Sequence, residues 1–194
     1  MTQYSYLKEI KILTTNNYCP SNQLATIIDS YWSVKNNTLN TINLPIVPDG
    51  CMDIIYKKTF QTEDIILVGA MDKGIIVSLE PNDFYFGIRF KPSILSFLLN
   101  QKMDKYTNRV VSLQDVSIEF YNKLDFFKEK KILNIQTLNF LFEEKIPEIQ
   151  IDNRIIDSIS FINKYKGDIK IKDLLEKINI SQRQLERLFL NHLG

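Results

Sequence analysis

The sequence predicts an α+β fold in which a small antiparallel β barrel or sandwich, covered by helices, precedes a unit of three short helices. Short apolar runs separated by turn residues occupy residues 41–90, which is typical of strands joined by tight turns. Beyond Pro92 the apolar period lengthens to that of helices, and it recurs three times in quick succession within residues 153–194. These two periodicities indicate a β-rich N-terminal part and a helical C-terminal part.

Four or five strands are expected within residues 41–90. A proline-aspartate-glycine turn at 48–50 separates two extended runs. The clearest strand covers residues 84–90, where three phenylalanines and an isoleucine share one face. Because side chains alternate along a strand, Tyr85 and Arg89 are predicted to lie on the opposite face.

Three helices are predicted to follow these strands. One begins after Pro92, one begins at Ser112 with Asp115 completing an approximate capping box, and one runs from roughly Ile132 to Glu144. Their apolar stripes could cover the sheet or build a dimer contact. A homodimer formed through residues 113–145 is therefore one expectation.

A domain boundary is expected where the helical pattern breaks. Pro147 and the polar residues around Asp152 interrupt the apolar period. We therefore predict a β-rich domain with C-terminal helices over residues 1–146 and a helical domain over residues 152–194.

Composition argues against several classes of protein. A single histidine, His192, cannot supply the several imidazoles of a His-rich metal centre, so no metal or other cofactor is expected. Cys19 and Cys51 lie far apart, which argues against a disulfide framework or a thiolate zinc site. A buried structural role for Cys51 is favoured over a redox or alkyl-acceptor role.

The remaining motifs are also informative. The sequence has no phosphate-cradling glycine loop and no nucleophile motif, so an enzyme is not expected. It has neither a secretory signal nor an apolar run of membrane-spanning length. The cytoplasm is therefore the expected compartment, and no membrane partner is expected.

The last predicted helix begins at a defined residue. Ser181 and Gln184 form the pattern S-x-x-Q of a capping box, and Asn179 suits the left-handed turn that precedes it. The predicted inward stripe comprises Leu185, Leu188 and Phe189. The residues left facing outward near the start of the helix are Gln182, Arg183, Glu186 and Arg187.

These outward side chains are of types that read base edges. Arginine binds guanine O6 and N7, glutamine pairs with adenine, and glutamate accepts from cytosine N4. Lys170, Lys172 and Lys177 are candidate phosphate contacts beside them. An ordinary amphipathic helical hairpin with a charged outer face would give much the same periodicity, so the residues alone leave DNA binding open.

The run from Lys170 to Gly194 resembles the first helix-turn-helix of AraC-family transcriptional regulators. The matching positions are Ser181, Gln184, Leu185, Arg187, Phe189 and Gly194. The sequence departs from the family pattern at Leu175, where alanine is usual, and at Lys170, where a Ser or Thr cap is common. The resemblance implies a transcription regulator that binds operator DNA through Ser181, Gln182, Arg183, Gln184, Glu186, Arg187, Lys170 and Lys172.

The family's DNA-binding domain has two such units joined by a long helix, and the sequence covers only the first. Truncation and natural loss of the second unit are both open. A single unit buries little surface, so poor specific affinity for DNA is expected. The alternative function is a ligand-binding or protein-interaction module without independent DNA binding.

The N-terminal half also resembles part of this family. Residues 18–115 are similar to the uncharacterised domain that precedes the helix-turn-helix in one subgroup of AraC-like regulators. The matching pieces are Pro20, Leu24, Tyr31-Trp32, Pro48-Asp49-Gly50-Cys51, Asp53, Gly69, Met71, residues 86–90 and Pro92. The resemblance implies a cupin-like or related β fold, and a sensor or regulatory role for residues 1–146.

A small-molecule effector would have a few candidate contacts in this half. Arg89 could bind an anionic effector bidentately, although an ion pair with Asp53 or simple solvent exposure is favoured. Trp32 is more readily interpreted as a core residue than as a ligand platform. The candidate effector site therefore comprises Arg89, Tyr85, Asp53 and Trp32.

Overall fold

The computed structural model describes residues 13–129, 134–146 and 149–194, which form two antiparallel sheets and several helices. The strands are β1 (Leu13–Tyr18), β2 (Ile28–Asn36), β3 (Ile42–Ile46), β4 (Met52–Lys58), β5 (Glu63–Val68), β6 (Ile75–Leu79), β7 (Phe84–Phe90) and β8 (Val110–Ser112). The helices are α1 (Ile94–Leu99), α2 (Leu113–Val116), α3 (Ile118–Leu124), α4 (Phe126–Glu129), α5 (Ile135–Glu143), α6 (Asn153–Lys164), α7 (Ile171–Ile178) and α8 (Gln182–His192). Short 3-10 helices cover Leu24–Thr26 and Asp104–Tyr106. The α+β class is confirmed.

The larger sheet has six strands in the order β1-β2-β7-β4-β5-β8, and β3 pairs with β6 in a separate two-stranded sheet. Five of these strands, β3 to β7, lie within residues 42–90, as the alternating apolar runs predicted. The strands β1, β2 and β8 were not predicted. In β2 the adjacent residues Tyr31 and Trp32 are both buried, on opposite faces of the sheet, so the strand shows no alternation of apolar and polar residues.

Each face of the larger sheet packs against a different layer. On one face Tyr31, Phe86 and Phe90 join the main core with residues of the helices. On the other face Trp32 and Val34 pack with residues of the two-stranded sheet. The predicted alternation along β7 is confirmed, because its phenylalanines enter the main core whereas Tyr85 packs on the opposite side.

The helices after β8 cover the sheet. Phe120, Leu124, Leu138 and Phe142 are buried in the main core, which is the first of the two roles predicted for these stripes. The predicted start of the third helix at Ile132 lies outside the described residues. Its described part begins at residue 135.

The predicted capping box at Ser112 is wrong. Among the described residues, the Ser112 side chain caps no amide of α2, which ends after one turn. Ser117 is extended and interrupts the helix, and its hydroxyl accepts from the Phe120 amide at 3.3 Å to begin α3. The helix breaks here because Ser117 acts as the N-cap of a new helix, in which its hydroxyl accepts from a backbone amide of the first turn.

The three C-terminal helices α6, α7 and α8 pack around Ile155, Leu174, Leu185 and Leu188, which are all buried. Phe189, the third residue of the predicted inward stripe, is half-buried. The predicted boundary residue Pro147 lies outside the described residues. No helix in the described part of the chain is long and apolar enough to cross a membrane.

Candidate effector cavity and nucleic-acid interface

A cavity of about 210 Å³ lies between the larger sheet and the two-stranded sheet. Most of its wall is aliphatic, and the rings of Trp32 and Tyr85 contribute to it. Asp53 and Arg89 stand in the same wall. The structure therefore brings together all four residues that the sequence indicated for an effector site.

The register of the sheet places Arg89 directly beside Asp53 on the neighbouring strand. Arg89 is only 4% exposed and Asp53 only 5%. The guanidinium donates from Nε to Asp53 Oδ1 at 3.2 Å and from Nη2 to Oδ2 at 3.0 Å. Among the alternatives left open for Arg89, the ion pair with Asp53 is the one that the structure contains.

Two further groups complete this network. Arg89 Nη1 donates to Asp49 Oδ2, and the Trp32 indole N–H donates to Asp53 Oδ1 at 2.9 Å. Asp49 was missed as a site residue because its position in the turn at 48–50 already explained it. Its Oδ1 accepts from the Cys51 amide at 3.0 Å, which is ordinary turn chemistry. Only the fold reveals that its second oxygen reaches β7.

Glycine at position 87 fixes the position of the indole. Gly87 is the cross-strand partner of Trp32, and a Cβ at this position would lie 2.0 Å from Trp32 Cε2. The ring therefore lies flat against the backbone of β7. A larger residue at 87 would push the indole away from Asp53.

Two titratable side chains in the wall remain neutral at physiological pH. Burial, reinforced by the nearby carboxylate of Asp49, raises the pKa of the Cys51 thiol to about 12. Burial and the charge of Asp83 raise the pKa of Tyr85 to about 12. A thiol held neutral is a poor nucleophile, which fits the structural role expected for Cys51.

The described residues contain no group of three or more His, Cys, Asp and Glu side chains placed to hold a metal ion.

The first turns of α8 present a polar surface to solvent. Gln182, Arg183, Glu186 and Arg187 are exposed, and Gln182 Nε2 donates to Glu186 Oε1 at 2.9 Å. At the start of α7, Lys170 and Lys172 are also exposed, and the Lys172 ammonium lies 4.0 Å from the Glu176 carboxylate.

The predicted capping box of α8 is confirmed. The Ser181 hydroxyl accepts from the Gln184 amide at 3.3 Å, and the Gln184 side chain accepts from the Ser181 amide at 2.8 Å. Asn179 adopts the left-handed conformation, with φ of 51°. The side chains of Ser181 and Gln184 are thus engaged in starting the helix. The surface left for contact with another molecule is formed by Gln182, Arg183, Glu186 and Arg187.

The last turn of α8 packs against the N-terminal part of the chain. The His192 ring stacks on Phe97 of α1 with centroids 4.3 Å apart, and its Nδ1 lies 2.7 Å from Ser96 Oγ. The Asn191 carbonyl accepts from the Met103 amide at 2.8 Å. Burial lowers the pKa of His192. The helix is therefore anchored at its end while its beginning is exposed.

One stretch of backbone, residues 103–109, lies between the cavity and this anchor. Gly69 lines the cavity, and its amide donates to the Arg109 carbonyl at 3.0 Å. A Cβ at Gly69 would lie 1.9 Å from the Tyr106 carbonyl oxygen, so the two backbones are in direct contact. The same stretch meets α8 through Met103.

A family model described as "Domain of unknown function (DUF6597)" matches residues 16–112. The matched segment extends from β1 to the end of β8 and includes all the residues that line the cavity. Comparisons with curated proteins and with solved structures give no significant match. The chain belongs to the DUF6597 family.

Proposed function

We propose that the chain is a DNA-binding transcription regulator of the AraC type, in which α7, the turn at Asn179 and α8 act as a helix-turn-helix. In this proposal α8 enters the major groove with its N-terminal residues, and the β-rich domain, with a cupin-like arrangement of its two sheets, senses a small molecule. The family model covers only the β-rich part, so the DNA-binding role depends on the C-terminal helices.

The observation that carries the proposal is the amphipathic division of α8. Leu185 and Leu188 are buried, and this leaves Arg183, Glu186 and Arg187 together on the exposed side. Recognition helices meet base edges with the residues of their first turns. The anchored last turn holds the helix in place without covering this surface.

The exposed charges at the start of α7 fit a contact with the DNA backbone. Lys170 and Lys172 lie at the start of α7 and are exposed. Lysines in such positions bind phosphates, which fixes the orientation of the protein but does not select a sequence. The bond between Gln182 and Glu186 would be exchanged for contacts with bases when DNA binds.

A selection from random duplex DNA at low salt, followed by fluorescence anisotropy with the enriched and scrambled duplexes, tests the proposal. Arg183→Ala and Arg187→Ala should each reduce discrimination between the duplexes by about 1–3 kcal/mol if the arginines contact guanine. Lys172→Ala should weaken binding to both duplexes equally. It should also reduce the slope of the logarithm of the binding constant against the logarithm of salt concentration by about one.

The matched control is Arg109→Ala, which removes an exposed arginine from the loop before β8. It should leave discrimination unchanged. If both α8 variants discriminate as well as the parent chain, α8 is not the recognition helix.

The cavity favours a second candidate function, a ligand-binding module without independent DNA binding. The stacking of His192 on Phe97 ties α8 to the β-rich part, as expected of a helix used for packing. A chain that binds small molecules but selects no DNA sequence at low salt would support this alternative.

Dimerisation is part of the proposal as well. Ile118 on α3 and Phe140 on α5 are 54% and 63% exposed, although both helices otherwise pack on the core. Light scattering of the parent chain and of Phe140→Asp would test whether these helices form a homodimer contact. A parent chain that is monomeric at high concentration would exclude it.

A further inference from the structure

The polar end of the cavity carries one excess negative charge. A single guanidinium, that of Arg89, faces the two carboxylates of Asp49 and Asp53. Each of its three nitrogens donates to a carboxylate oxygen. An anionic ligand would have to displace one carboxylate from a buried cation and would then lie beside the other, which Coulomb repulsion in a poorly solvated site disfavours.

The two carboxylates differ in their access to the cavity. Asp53 is buried and accepts bonds from Arg89 and from the Trp32 indole. The Asp49 side chain keeps 34% of its surface exposed, and its two oxygens accept from Cys51 and from Arg89 respectively. Because a carboxylate oxygen has two lone pairs, Asp49 retains capacity to accept from a ligand.

The rest of the cavity suits an apolar body with aromatic contacts. Leu44, Ile55 and Val77 provide aliphatic walls, and Trp32 and Tyr85 provide rings. A cavity of about 150 Å³ with walls of this kind binds benzene. The cavity here is about 210 Å³ and therefore fits a molecule somewhat larger than benzene.

The other cation in the wall lies away from Asp49. Lys57 is four residues from Asp53 along β4, or roughly 13 Å at the rise of a strand. Its ammonium lies 5.7 Å from the centre of the Tyr85 ring. The Lys57 backbone is thus well separated from the pair of Asp53 and Arg89, and its ammonium lies over the Tyr85 ring.

We propose that the cavity binds a small organic ammonium compound with an apolar body, whose ammonium group donates to Asp49 and whose body packs against Trp32 and Tyr85. Binding of this compound does not require DNA. Only its role as the effector of a regulator rests on the proposed function.

The chain contains one tryptophan, Trp32, so its fluorescence reports occupation of the cavity directly. We would titrate the protein with 2-phenylethylamine, 2-phenylethanol and phenylacetate, which share a ring and differ in the charge of the head group. The amine should give a saturable change with a Kd about tenfold or more below that of the alcohol, in line with a charged hydrogen bond. Phenylacetate should bind most weakly.

Two outcomes of this titration overturn the proposal. One is binding of the alcohol or of phenylacetate as tightly as the amine. The other is no saturable change with any of the three compounds while circular dichroism shows a folded protein. The comparison uses the parent chain alone, so it decides the matter even if a variant fails to fold.

Asp49→Asn removes the excess charge and keeps the shape of the side chain. It should raise the Kd of the amine about tenfold and leave that of the alcohol unchanged. The control Asp72→Asn removes an exposed carboxylate that does not line the cavity, and it should change neither value. An amine Kd that is the same in Asp49→Asn and in the parent would refute the assigned contact.

Val77→Phe fills the cavity and should abolish binding of all three compounds while the protein stays folded. Retained amine binding in this variant would place the site elsewhere. The amine should bind an Arg183→Ala, Arg187→Ala double variant as tightly as the parent. Failure of the cavity proposal and failure of the DNA-binding proposal are therefore distinguishable.

Discussion

The buried pair of Arg89 and Asp53 should show strong thermodynamic coupling in a double-mutant cycle. Arg89→Met leaves Asp53, which is only 5% exposed, without its cation, and removing one partner of a buried pair costs about 3–5 kcal/mol. Asp53→Asn costs less, about 2 kcal/mol, because Arg89 keeps Asp49 and the new amide oxygen still accepts from the Trp32 indole.

The double variant should be more stable than the sum of the two losses predicts. With both substitutions in place, no buried carboxylate is left beside the uncharged side chain at position 89, so we expect a coupling energy of about 2 kcal/mol. Urea denaturation followed by Trp32 fluorescence at neutral pH measures all four proteins. Additivity within about 0.5 kcal/mol would refute the reasoning, since independent sites behave in that way.

Three other changes have defined outcomes. Gly87→Ala should destabilise the folded protein by about 1–3 kcal/mol and shift the tryptophan emission, because its Cβ would overlap the indole. In the control Gly74→Ala the new Cβ would lie 3.5 Å from its nearest neighbour. This variant should be close to neutral in the same denaturation assay. Ser181→Ala should lower the free energy of unfolding by about 1 kcal/mol, because the α8 cap is lost. Ser181→Thr keeps the hydroxyl and should retain most of the parent's stability in thermal melts. Equal losses of stability in both variants would contradict the capping role. Because burial lowers the folded-state pKa of His192 below 6.5, its contact with Phe97 stabilises the protein above that pH and weakens as the pH falls through the lowered value. Protection factors from hydrogen exchange in α8, which correct for the slower intrinsic exchange at lower pH, should therefore fall on mild acidification in the parent but not in His192→Asn.

The parts of the fold that depend on local chemistry could be predicted from the sequence. The start of α8 depends on a hydroxyl and an amide three residues apart, so the pattern at Ser181 and Gln184 was sufficient. The strand at 84–90 was equally clear because its two faces differ in composition. The break at Ser117 was harder to predict, because the apolar period continues across it and only the local hydrogen bond restarts the helix.

The candidate site was predicted only in part, because its contacts join distant segments. Arg89 and Asp53 meet through sheet register, and their ion pair was among the interpretations that the sequence left open. The contact between Arg89 and Asp49 joins residues 40 positions apart. It was not predicted because the place of Asp49 in a tight turn already accounted for an aspartate at this position. The anchoring of His192 on Phe97 joins residues about a hundred positions apart, and no local pattern indicates it.

The backbone stretch 103–109 joins the wall of the cavity to the end of α8. Its carbonyl at Tyr106 is in contact with Gly69 at the rim of the cavity, and its amide at Met103 is bonded to the final turn of α8. Packed backbone has little room to be compressed. Main-chain contacts of residues 103–109 therefore fix the spacing between Gly69 in the cavity wall and the last turn of α8.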